Sequence, residues 1–108
     1  MCDLFPGAIS FKRKNILDIP DELIGVYGIW FRKYCVYIGR TAHQGLRTRL
    51  HQHWNHAENS KLRAWIKSKK SNLVFNYKEC HSEIETVRME AFFYNCYKPI
   101  TNIIALEE

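Results

Sequence analysis

The sequence predicts a single α+β domain with elements in the order β-β-α-α-β-α. Three observations carry this. Two short runs rich in Val, Ile, Tyr and Trp, at residues 25–31 and 34–39, are separated by the polar pair Arg32-Lys33. An apolar stripe of helical period opens at Leu46. A Ser-x-x-Glu capping box at Ser82–Glu85 leads into a run that stops before Pro99. The chain is 108 residues long, with 46% hydrophobic and 25% charged residues. That length suits one core, and that composition is globular rather than disordered.

Residues 1–20, with Pro6, Gly7, Pro20 and the basic cluster Lys12-Arg13-Lys14, read as an irregular lead-in with room for one short element. The domain proper is expected over 21–108. The two β-runs form a hairpin, and no Asn-Gly or Asp-Gly fixes its loop length. At about 100° per residue, Leu46, Leu50, Trp54 and Ala57 share one stripe, with Arg49, His53 and His56 on one flank and Arg47 on the other. Asn59-Ser60 offers an N-cap for a second helix with Leu62, Trp65 and Ile66 inward. Residues 73–79 alternate as a strand. On the last helix the expected inward stripe is Ile84, Val87, Ala91 and Tyr94, with Glu90 and Tyr97 at its edge.

No apolar stretch approaches the ~20 residues needed to span a bilayer, and Met1-Cys2-Asp3 shows no secretory leader. The four cysteines lack any C-x-x-C spacing. Cys35 and Cys96 are expected to be reduced core side chains, and the compartment a reducing cytoplasm or nucleus.

Net charge is +5, and it is concentrated. Residues 32–70 hold ten basic side chains against the single acid Glu58. Such a segment suits a polyanion such as nucleic acid, or simply a solvated basic surface.

Several side chains stand out chemically. Glu90 lies among Met89, Ala91 and Phe92, where a carboxylate is costly to bury unless it is paired or binds metal. Its partner would be a cation, or a neighbour such as Arg88 or Lys98. Arg49 and His53 are four apart, so both can reach one anion. His51, His53 and His56 do not converge at zinc-ligand spacing.

Gly25-Val26-Tyr27 followed by Tyr37-Ile38-Gly39, with tyrosines ten apart, resembles the GIY-YIG nuclease superfamily. The resemblance continues through Arg49-Leu50-x-x-His53 and ends at Glu90, Tyr97, Pro99 and Asn102. It departs in GVY for GIY, and in a loop before Arg49 about two residues longer, which leaves Arg47 a rival for the arginine role. The resemblance implies a three-stranded antiparallel sheet flanked by helices, and hydrolysis of DNA phosphodiesters with one divalent metal. It implies that Glu90 binds Mg²⁺, with Mn²⁺ as a substitute. Arg49 binds phosphate, Tyr27 and Tyr37 form a catalytic pair, Asn102 closes the site, and His53 stands where many members have His. Arg40, Arg47, Lys61 and Arg63 are the expected contacts to the DNA backbone. A DNA-binding module without cleavage, and a plain interaction domain, are the other two classes. For the tyrosines to act together they must share a sheet face. An odd-length loop centred near Arg32 achieves that, whereas a two-residue loop without a bulge separates them.

Overall fold

Alternating β-branched and aromatic residues set the centre of the molecule. The computed structural model describes residues 8–20, 22–69 and 72–100. Its elements are β1 (Ile9–Ser10), α1 (Arg13–Leu17), β2 (Gly25–Phe31), β3 (Tyr34–Thr41), α2 (Leu46–His56), α3 (Ser60–Lys69), β4 (Leu73–Glu79) and α4 (Glu83–Tyr97). The strands form one antiparallel sheet in the order β1-β4-β2-β3. The sheet therefore has four strands, not the expected three. The additional strand pairs Ile9 with Phe75 and Ser10 with Val74. Two residues are too few to show a period, so no pattern announced it.

Residues 8–20 contribute to the fold as well. They hold β1 and α1, and Phe11, Ile16 and Ile19 are buried in the main core.

The sheet divides the interior in two. Tyr27, Ile29 and Phe75 pack with Leu46, Leu50, Leu62 and the residues of α1 on one face. Val26, Cys35, Ile38 and Cys80 pack with Phe93 of α4 on the other. This alternation of neighbours follows the period of two along β2. Cys35 and Cys80 are buried thiols.

Helix ends follow their caps. Asn59 Oδ1 accepts from the Lys61 and Leu62 N–H groups, at 2.9 and 3.0 Å, and starts α3. Ser82 Oγ accepts from Glu85 N at 3.1 Å, and Glu85 reaches back to His81 N at 2.6 Å. Lys98, in the left-handed region at φ 49°, ends α4 before Pro99.

The buried face of α4 is not the expected one. Ile84 and Val87 are 65% and 45% exposed, while Thr86 and Phe93 are buried. Apolar residues run around most of α4, so a helical wheel does not select a face. Aromatic contacts do: Tyr97 meets Trp30 edge-on at 4.7 Å and stacks with Phe93 at 6.1 Å.

Candidate active site

The hairpin decides whether the two tyrosines can meet. Phe31 pairs with Tyr34, so the loop is the two-residue Arg32-Lys33 turn, with Arg32 at φ 56°. That parity alone would put Tyr27 and Tyr37 on opposite faces. The register then shifts: Trp30 pairs with Cys35 but Ile29 with Tyr37, leaving Val36 as a bulge. Tyr37 now opposes Ile29, two residues from Tyr27, and the tyrosines share a face. Their rings stack 6.1 Å apart at 26°. The expected odd-length loop is absent, and the bulge supplies its effect.

Gly39 makes room for this pair. It is Tyr27's cross-strand partner. A Cβ there would lie 2.5 Å from Tyr27 Oη and 2.9 Å from Tyr37 Cε2. Only a glycine lets the phenol ring lie across the strand at that point.

The strand β3 is an edge of the sheet. The tyrosines and Arg49 of α2 approach that edge from one face. Arg40 of β3 and Glu90 of α4 approach from the other. Together they line a cleft of about 360 Å³, with Gly39 and residues 41–44 completing its wall.

Tyr27 is 1% exposed, and its hydroxyl lies 2.7 Å from His53 Nε2. His53 is itself 2% exposed. It is therefore not on a solvated flank reaching an anion beside Arg49, but behind Tyr27 as its hydrogen-bond partner. Burial, reinforced by the Arg49 charge, pushes the His53 pKa down to about 3, so the ring is neutral. Burial likewise raises Tyr27 well above its ordinary value, and the neighbouring Tyr37 adds to this while Arg49 opposes it. Burial raises Tyr37 in the same way, again against the pull of Arg49. Both phenols are thus protonated at neutral pH. The Arg49 charge acts on both phenols from beside them, in the same cleft. Arg49 donates to Gln52 Oε1 at 3.2 Å and lies 3.8 Å from the exposed Glu58 carboxylate.

Glu90 is paired, though not with Arg88 or Lys98. Arg40 Nε stands 3.5 Å from its Oε1, and both side chains are about one-third exposed. Burial raises the Glu90 pKa, and Arg40 pulls it back. Arg40 also donates to Thr86 Oγ1 at 3.4 Å.

The cleft thus gathers Tyr27, Tyr37, Arg40, Arg49 and Glu90, with His53 directly behind. Arg47 is elsewhere, donating to the Leu17 carbonyl at 3.5 Å. Lys61 and Arg63 are on α3, away from the cleft. Asn102 lies outside the described residues.

Solved structures share this architecture. The GIY-YIG N-terminal endonuclease domain of UvrC from Thermotoga maritima, bound to magnesium as its catalytic divalent cation, matches with a TM-score of 0.64. The match covers 82% of this chain and 92% of that one at 25% identity. A tyrosine-to-phenylalanine point mutant of the same domain matches at 26% identity and a TM-score of 0.64, covering 82% and 91%. An asparagine-to-alanine mutant matches at 27% and 0.63, with the same coverage. This chain has the GIY-YIG endonuclease fold. A scan against protein-family models and a search of curated proteins find no match.

On the GIY-YIG fold, some cleft residues carry no signal in the sequence. Thr86 holds Arg40, and His43 lies 3.4 Å from Glu83 at the cleft mouth. One contact joins α4 to β3 and the other joins it to the loop after β3, and no spacing along the chain encodes them. The burial of His53 was also hidden, because a histidine beside a polar flank looks like a solvated one. Among the described residues, no group of three or more His, Cys, Asp or Glu is placed to hold a metal ion. No helix among them is long and apolar enough to cross a membrane.

Proposed function

We propose that this chain is a metal-dependent endonuclease that hydrolyses phosphodiester bonds in DNA. One observation carries the reading. Tyr27, Tyr37, Arg49 and Glu90, drawn from β2, β3, α2 and α4, converge on a single cleft at the sheet edge. The magnesium in the matching UvrC domain and the basic segment at 32–70 support the same reading.

Glu90 fits a hard divalent cation. Mg²⁺ takes one or two carboxylates, keeps several waters and needs room for them. Glu90 offers one partly exposed carboxylate on the wall of a cleft of about 360 Å³. When bound, the cation supplies positive charge that neutralises the phosphate and acidifies water. Arg40 holds the Glu90 carboxylate until then, and the same guanidinium faces the incoming DNA backbone.

The remaining roles follow from protonation. In the Nδ1–H tautomer, His53 accepts the Tyr27 proton at Nε2. The Tyr27 oxygen lone pairs then face the cleft and orient the attacking water. With a pKa near 3, His53 is too weak a base to store that proton. It positions Tyr27. Tyr37 donates to a non-bridging phosphate oxygen. Arg49 leaves Glu58 and presents its planar fork to the charge developing on the phosphorus-bound oxygens.

Nicking of supercoiled plasmid in Mg²⁺, abolished by EDTA, is the expected result. DNA binding without nicking in either Mg²⁺ or Mn²⁺ would replace this reading with that of a binding module.

A further inference from the structure

A second cavity, larger than the cleft, lies among the described residues. A space of about 600 Å³ opens between the last turns of α2 and the first turns of α3. Its floor is apolar, with Ala57 and Ile66 buried. Its walls carry Arg63 and Lys67, and among the described residues no carboxylate lines it. Arg63 donates from one guanidinium nitrogen to the Ala57 carbonyl at 2.9 Å and to His56 Nε2 at 3.3 Å. The carbonyl fixes where the guanidinium sits. An arginine can only donate, so His56 is held in the Nδ1–H form, adding a third donor to the wall.

We propose that this cavity is a second phosphate-binding subsite, gripping the backbone of the bound DNA beyond the cleft. The inference rests on the nucleic-acid reading of the cleft and adds where the strand runs. His56 follows Arg49 by seven residues on the same helix. At 1.5 Å per residue the two are about 10 Å apart along the axis. One DNA strand advances about 3.4 Å per nucleotide along its axis, so the subsite takes a phosphate about three nucleotides from the one at Arg49. A pre-set arginine, a lysine and an imidazole N–H around a floor of buried Ala57 and Ile66 form a phosphate clamp rather than a solvated basic face.

The test measures binding of a labelled DNA duplex by fluorescence anisotropy in EDTA, across a salt series, for the full chain. Each lost phosphate contact lowers the slope of log affinity against log salt by about one. The double variant Arg63→Ala/Lys67→Ala is expected to lose about two units of slope. Lys12→Ala/Lys14→Ala, an equal loss of charge on and before α1, is expected to lose none. Lys67→Glu, a change at an exposed side chain, carries the test should the double variant not fold. In plasmid cleavage, KM should rise while kcat holds. An unchanged slope, an equal loss in the α1 variant, or a fall in kcat with KM unchanged would each overturn the subsite. Wild-type chain that binds DNA but does not nick it would instead defeat the nuclease reading and leave the slope result standing.

Discussion

His53 ties the fold to the site, and acid exposes the link. Its ring is 2% exposed, bonded to Tyr27, and held neutral with a pKa near 3. In the unfolded chain a histidine titrates near 6.5. Between those values the unfolded chain binds one more proton than the folded one. Stability from this residue is therefore complete above pH 6.5 and is lost as pH falls toward 3. Over the 2.5 units from pH 6.5 to pH 4, at about 1.36 kcal/mol per unit, the loss is about 3 kcal/mol. That is a large share of the ~5–15 kcal/mol stability of a typical domain. The assay is urea unfolding at both pH values for the wild type and for His53→Gln, which does not titrate. Carboxylates such as Glu90 titrate alike in both chains and cancel in the difference. The wild type should lose about 3 kcal/mol more than the variant over this window. Equal losses, or an NMR titration of the folded His53 ring with a midpoint near 6.5, would refute the reasoning.

Gly39→Ala places a methyl 2.5 Å from Tyr27 Oη, against a ring that is 1% exposed and cannot retreat. The melting point should drop by the equivalent of about 1–3 kcal/mol of overpacking, and calorimetry showing a wild-type melt would contradict this. Arg49→Ala should remove most cleavage while DNA affinity in EDTA stays within a few-fold. Arg47→Ala, whose side chain meets the Leu17 carbonyl, should keep a near-wild-type kcat in the same plasmid assay. Ser82→Ala deletes the cap on Glu85 N and should cost about 1 kcal/mol, seen as a drop of several degrees in a thermal melt.

Local chemistry was legible in the sequence, and contacts across the sheet were not. The hairpin, α2, α3, β4 and the cap at Ser82 follow from periods and capping residues, which act within a few positions of each other. The strand β1 escaped because two residues hold no period. The face of α4 escaped because its apolar residues point all ways, and Trp30 on β2 chose between them. The pairing of the tyrosines was anticipated, but its cause was not. A bulge at Val36 has no residue signature, whereas loop length sets parity directly. At the cleft, Tyr27, Tyr37, Arg49 and Glu90 were readable as a motif. The Arg40–Glu90 pair was not, since it joins an edge strand to a helix fifty residues later.

The central claim is that Glu90 holds a divalent cation beside the tyrosine pair and that cleavage of DNA depends on it. Glu90→Gln keeps the side chain's shape and removes the charge that attracts a hard cation. The decisive measurement follows nicking of supercoiled plasmid by wild type and Glu90→Gln over a Mg²⁺ and Mn²⁺ series, with DNA affinity measured in parallel. The account predicts a variant that melts normally, binds DNA at least as tightly, and does not nick at any metal concentration. Wild-type nicking by Glu90→Gln would contradict it.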